Sequence, residues 1–229
     1  MSLYGAAKFV VAPLSRAAWP QRVEGVHHVP SDGPVILASN HLALIDPLFI
    51  GTACPRPVRF IAKQELFDES SLPRKALARV LRALGPLSVD RRPGQSAQEA
   101  MDNSVEVING GEVFGIFPEG TRSPDGRLHK GQTGLAWLAL TTGAPVIPLA
   151  LSGTERILPP GRKVPSFNRV GVRFGPPVDL SPWSGQAHRA RPRREATDAI
   201  MAAIAKLSGQ EQVPRFAASV KAELEGGSK

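Results

Sequence analysis

Val35-Ile36-Leu37-Ala38-Ser39-Asn40-His41-Leu42-Ala43-Leu44-Ile45-Asp46-Pro47 is an apolar run that passes through polar residues into a helix-start signal. Val35 to Ala38 is bounded by Gly33-Pro34 before and Ser39-Asn40 after, the pattern of a short buried strand. Asp46-Pro47 opens a helix, because Pro fits the first helical position and Asp caps free N–H groups. His41 therefore stands at a strand end, just ahead of a helix. In one continuous helix, residues five apart point about 140° away from each other. His41 and Asp46 can meet only if the chain bends between them, and Pro47 disfavours helical geometry at Asp46. If they meet, Asp46 fixes the imidazole tautomer and His41 becomes a general base. A loop His beside a capping Asp usually carries no chemistry, so the rest of the chain has to decide.

The chain has 229 residues, of which 42% are hydrophobic, enough for one domain with a sizeable core. Its net charge of +8 points to a polyanionic partner: nucleic acid, an anionic membrane surface or a phosphorylated substrate. Aromatic residues make up 6%, with a single Tyr, which leaves few base-stacking platforms and argues against nucleic acid. One cysteine excludes an internal disulfide framework, and the five scattered His give no zinc spacing. No uncharged apolar stretch reaches the about 18 residues of a membrane-spanning helix. Residues 1–22 are apolar, carry Lys8, Arg16 and Arg22, and lack acidic residues. They suit either a segment lying on an anionic bilayer or an ordinary packed amphipathic helix. No small-residue cleavage site follows them, so a signal peptide is not expected.

Further strands are expected at Val23 to Val29, Val58 to Lys63, Pro86 to Arg92, Val113 to Pro118, Pro145 to Leu151 and Val170 to Phe174. Helices are expected at about 47–53, 73–84, 96–108, 132–142, 194–207 and 213–224. Arg189 to Arg194 is read as a solvated, flexible loop, with a lipid-headgroup or carrier-protein contact as the alternative. The expected fold is α/β: a single domain with a largely parallel mixed sheet flanked by helices. The segments are 1–22 at a membrane interface, 23–180 as the catalytic domain, and 181–229 as a C-terminal polar loop and helices packed on it. In parallel sheets, sites form at the carboxyl ends of strands. His41, Lys63, Asp90-Arg91 and Glu119 to Arg122 all fall at such ends, which argues for one active site.

Several chemistries lack their motifs. The sequence has no G-x-S-x-G elbow, no phosphate-binding G-x-x-x-x-G-K-[ST] loop and no G-x-G-x-x-G. Cys54 follows a helix in a Pro-rich turn without an evident activating partner and reads as an inert thiol. What remains is a His–Asp pair with cationic groups. That set suits activation of a substrate hydroxyl while its phosphate is held, with no enzyme nucleophile. Arg91 and Arg122 offer planar, bidentate donors, Lys63 a point charge, and Gly120-Thr121 close backbone approach to an anion. A structural ion-pair network at a sheet edge is the alternative for Arg91, Glu119 and Arg122.

Asn40-His41 with Asp46 resembles the N-H-x4-D motif of the glycerolipid acyltransferases. Gly85 to Arg91, Phe117 to Ser123 and Val146 to Ala150 are similar to that family's second, third and fourth motifs, in the same order. The resemblance covers roughly residues 23–178 and leans towards the bacterial 1-acylglycerol-3-phosphate (lysophosphatidic acid) acyltransferases. It implies His41 as general base and Asp46 as its partner. It implies an acceptor-phosphate site of Lys63, Arg91, Glu119, Gly120, Thr121 and Arg122, with Glu119 supporting the loop. Pro148 would form a wall near the acyl chain or acceptor, and Lys130 would line the site. The donor would be acyl-CoA or acyl-carrier protein and the acceptor a lysophospholipid, with no cofactor and no metal. Glycerol 3-phosphate, another lysophospholipid or a glycolipid stay open as acceptors, as does a basic membrane or nucleic-acid module without enzyme activity. Leu42-Ala43-Leu44-Ile45 departs from the family's frequent Ser inside the first motif. With a hydrophobic N-terminus reduced to residues 1–19, the expected location is peripheral, on the cytoplasmic face of the membrane.

Overall fold

A computed structural model describes residues 3–63, 89–91, 97–157 and 165–226. Helix α1 (Leu3–Ala18) leads into β1 (Gln21–Glu24). There follow β2 (Val35–Ser39), α2 (Asp46–Ala53), β3 (Val58–Lys63), β4 (Val89–Arg91), α3 (Ala97–Asn109) and β5 (Val113–Ile116). The chain continues through β6 (Leu128–His129), α4 (Gly134–Thr142), β7 (Val146–Ser152), β8 (Val170–Phe174), α5 (Ala190–Ser208), β9 (Gln212–Val213) and α6 (Ala217–Gly226). The basic helix expected at 73–84 lies outside the described residues, as do the first residues of the strand expected at 86–92.

Seven strands form one sheet in the order β1-β8-β7-β2-β5-β3-β4. Every neighbouring pair is parallel except β7 and β8, which run antiparallel. This is the largely parallel mixed sheet expected from the alternation of strands and helices. All five residues of β2 are buried, because helices cover both sheet faces. Side chains alternate across it. Val35 and Leu37 join Leu48, Phe49 and Ile50 of α2, with Trp19 after α1 packed against them. Ile36 and Ala38 join Ile108 of α3, Leu138 of α4 and Ile200 and Ile204 of α5. Full burial of one such side chain stabilises the fold by about 1.5–3 kcal/mol.

Two expectations need correction. The strand read over Val23 to Val29 ends at Glu24, and Val26–His28 is a short 3-10 turn. Gly25 causes the break: its φ is 72°, and a Cβ there would lie 1.9 Å from the carbonyl oxygen of Phe174. Arg189 to Arg194 is not a flexible loop, because α5 begins at Ala190. Pro192 is tolerated in the first turn, where its missing N–H has no partner to lose. Ion pairs one turn apart, Arg191 to Glu195 and Arg194 to Asp198, favour the helix.

Candidate active site

Strand order decides which strand ends can share a site. The expected groups lie on β2, β5, β3 and β4, which are consecutive across the sheet. His41 follows β2, Glu119 to Arg122 follow β5, and Lys63 and Arg91 end β3 and β4. The register pairs the backbone of Lys63 directly with that of Arg91.

The chain bends after β2 as the sequence requires. His41 Nδ1 lies 2.8 Å from Asp46 Oδ2, and the same oxygen accepts the backbone N–H of Leu42 at 2.7 Å and of Ala43 at 2.9 Å. Asp46 is fully buried and opens the first turn of α2, whose dipole favours a carboxylate. An oxygen already accepting two N–H groups needs a donor from the ring, so Nδ1 carries the hydrogen and Nε2 keeps its lone pair; the tautomer is inferred from this network. The His41 side chain keeps 16% of its surface exposed, so the ring is reachable from outside. It stacks on Phe117 with centroids 4.0 Å apart and planes at 17°. Phe117 in turn stacks on Phe60. Gly115 makes room for that ring, since a Cβ there would meet it at 2.3 Å.

The loop after β5 is fastened to the base through the backbone. Glu119 Oε1 accepts the N–H of His41 at 3.3 Å, and Oε2 accepts the N–H of His129 at 2.9 Å. The N–H of Ser123 donates to the carbonyl of His41 at 2.8 Å. Glu119 is 1% exposed, and burial pushes its carboxyl up to about 7 despite the two backbone donors. Among the described residues, its hydrogen bonds come from backbone N–H groups, of His41 and His129. Gly120 turns the loop at φ 74°. Arg122 is exposed and has no hydrogen bond or ion pair with the described residues. Thr121 is half-buried beside it.

Two further expected positions have these surroundings. Lys130 stands over the ring of Phe216, just before α6, 5.4 Å from its centroid. Pro148 is buried in β7 opposite Ala38, and its ring would lie 3.0 Å from a Cβ on Gly175, next to Leu207 of α5. It thus packs on the face covered by α5, opposite the face that carries α2.

Other residues hold the site without having been assigned a role in it. Asn40 is fully buried; its Oδ1 accepts the N–H of Leu151 at 2.8 Å and its Nδ2 donates to the Leu151 carbonyl at 3.0 Å. This pair of bonds bolts the start of the base segment to the end of β7. Beyond the loop, His129 Nε2 lies 2.9 Å from Asp125 Oδ1, and Arg127 holds Asp125 Oδ2 through two nitrogens. Burial would raise the Asp125 carboxyl, but the hydrogen bonds from Arg127 and His129 hold it well below the usual carboxylate range. Asp125, Arg127 and His129 lie two residues apart along the loop, a spacing visible in the sequence but without a recognised chemical pattern.

Among the described residues, no group of His, Cys, Asp and Glu is arranged to hold a metal ion. The arrangement is that of an imidazole with one ring nitrogen left over, beside a loop that carries the exposed Arg122.

Comparisons with known proteins bear on the same segments. The Acyltransferase family model matches residues 21–152. A 1-acyl-sn-glycerol-3-phosphate acyltransferase of Borreliella burgdorferi is 37% identical over 58% of this chain and 51% of its own. A chloroplastic 1-acyl-sn-glycerol-3-phosphate acyltransferase of Arabidopsis thaliana is 31% identical over 74% of this chain and 46% of its own. The chain thus spans about half the length of the curated relatives it matches. The crystal structure of the 1-acyl-sn-glycerophosphate (LPA) acyltransferase PlsC from Thermotoga maritima aligns with a TM-score of 0.63 at 23% identity, over 89% of this chain and 79% of that one. That likeness is one of fold. The matched residues 21–152 exceed half the chain and contain the His41–Asp46 pair and the Glu119–Arg122 loop, and the chain belongs to the Acyltransferase family.

Proposed function

We propose that this protein transfers a fatty acyl group from acyl-CoA or acyl-carrier protein to the free hydroxyl of 1-acylglycerol 3-phosphate, giving phosphatidic acid. The observation that carries this reading is the 2.8 Å bond from His41 Nδ1 to a buried Asp46, which leaves Nε2 to act as a base. The names of the relatives support the acceptor.

His41 Nε2 takes the proton of the acceptor hydroxyl as its oxygen attacks the thioester carbonyl. Asp46 stabilises the imidazolium that forms. The tetrahedral intermediate then collapses, the C–S bond breaks, and the thiolate leaves with the proton returned by His41. Arg122, with the backbone of Gly120 and Thr121, holds the acceptor phosphate; Lys63 and Arg91, at neighbouring strand ends, add positive charge. The step requires neither cofactor nor metal.

The protein works at the cytoplasmic surface of an anionic membrane, where its acceptor resides. On α1, Phe9 is 77% exposed and Leu14 65% exposed, which supports an apolar contact with the bilayer. Among the described residues no helix is long and apolar enough to cross a membrane.

The test is acyl transfer by the purified protein from radiolabelled acyl-CoA, and from acyl-carrier protein, to a panel of acceptors. 1-Acylglycerol 3-phosphate is expected to be used best. Preference for glycerol 3-phosphate or another lysophospholipid would move the acceptor. No turnover with any phosphorylated glycerolipid would overturn the reading.

A further inference from the structure

The segment after α5 returns across the loop that carries Glu119 and Arg122. Strand β9 pairs with β6, the N–H of Leu128 donates to the Glu211 carbonyl, and the N–H of Lys130 donates to the Arg215 carbonyl. One side chain in this strap reaches further. Gln210 Oε1 accepts a hydrogen bond from Asn40 Nδ2 at 2.8 Å, and Gln210 Nε2 donates to the carbonyl of Gly126 at 2.7 Å. The backbone N–H of Gln210 is held by Ser208 Oγ at 3.2 Å.

The chemistry of these two contacts is specific to an amide. Asn40 offers an N–H and therefore needs an acceptor; Gly126 offers a carbonyl and needs a donor. A carboxylate would satisfy Asn40 and set an oxygen against the Gly126 carbonyl. An apolar side chain would satisfy neither. Asn40 directly precedes the base, and Gly126 lies in the turn between Arg122 and His129.

We propose that Gln210 is a positioning residue, which sets the separation between the His41 base and the phosphate-holding loop by bridging Asn40 and Gly126. The inference rests on the function proposed above and extends it to a residue outside the matched family segment. Gln210 touches neither the reacting hydroxyl nor the thioester. It acts by keeping the loop's far turn in register with β2, so that an acceptor held by its phosphate presents its hydroxyl to Nε2.

The test compares wild type with Gln210→Ala and Gln210→Glu. It uses saturation kinetics with 1-acylglycerol 3-phosphate, with turnover expressed per folded molecule from circular dichroism at the assay temperature. Misplacement of a bound acceptor lowers kcat by about tenfold in both variants while the acceptor KM changes little. Gln210→Glu keeps the side-chain length, so it decides the matter if Gln210→Ala does not fold. Unchanged kcat per folded molecule in Gln210→Glu would overturn the inference, as would a raised KM at unchanged kcat. A wild type inactive on all phosphorylated acceptors would overturn the function reading and this inference with it. An active wild type with kinetically silent variants would overturn only the inference.

Discussion

The backbone N–H of His41 points at Oε1 of Glu119, 3.3 Å away, so the His41 segment and the loop after β5 are joined through main chain and a buried carboxyl. Glu119 holds the N–H of His129 with its other oxygen. Its place is between two loop ends, under the site.

That carboxyl makes stability depend on pH. Its pKa is about 7 when folded against 4.5 for the free side chain. The folded state therefore binds more protons between these values. The stabilising contribution is fully present below about 4.5 and is lost as pH rises through about 7. Urea melts of wild type and Glu119→Gln at several pH values give the difference in unfolding free energy. The advantage of wild type over Glu119→Gln should shrink from pH 5 to pH 7 and level off above it. A pH-independent difference would show that Glu119 does not titrate in this window.

Asp46→Asn separates charge from shape. The amide oxygen can still accept the three N–H groups now on Oδ2. It cannot stabilise an imidazolium, and its own N–H₂ would enter a buried space where Oδ1 has no partner among the described residues. Turnover should fall by about two orders of magnitude, as should that of His41→Ala, from loss of effective general base catalysis. Membrane binding, read by vesicle sedimentation, should persist in both. A fully active His41→Ala would end the base mechanism.

Gly120→Ala tests the loop turn. Gly120 sits at φ 74°, and a Cβ there would make only ordinary contact, 3.6 Å from Gln132 Cγ. The cost is thus conformational, about 1–2 kcal/mol for an L-residue in the left-handed region. The melting temperature should fall accordingly, and the acceptor KM should rise because the backbone of Gly120 and Thr121 no longer faces the phosphate. An unaltered melting temperature would mean the loop takes another path.

Arg122 should behave differently. It is exposed and without partners among the described residues, so Arg122→Ala should leave the melting temperature unchanged. With the proposed role as a bidentate phosphate contact, its loss should raise the KM for 1-acylglycerol 3-phosphate by about tenfold or more. Arg122→Lys should recover part of that loss. An unaffected KM would remove Arg122 from the phosphate site.

The strands that position the site were legible because each is a short, largely apolar run: β2, β3, β5, β7 and β8 all begin within a residue of expectation. The bend between His41 and Asp46 was legible from Pro47. Strands β6 and β9, two residues each, were not, since their pairing depends on a contact distant in sequence rather than on local pattern. Gln210 was invisible for the same reason: Asn40 is 170 residues away along the chain. The start of α5 was misplaced because Arg191 to Arg194 read as a like-charged run until Glu195 and Asp198 one turn on were counted as partners. Pro148 was assigned by resemblance, and only the alternation of β7 reveals which face it occupies.

The three donors on Asp46 all come from residues 41–43, so the orientation of the base is settled within one six-residue stretch. The groups proposed to hold the acceptor's anionic end come from other strands. Chemistry and selectivity are therefore written in separate passages of the chain. On the proposed mechanism, a substitution at Arg122 can change how an acceptor is held while the His41–Asp46 bond stays in place.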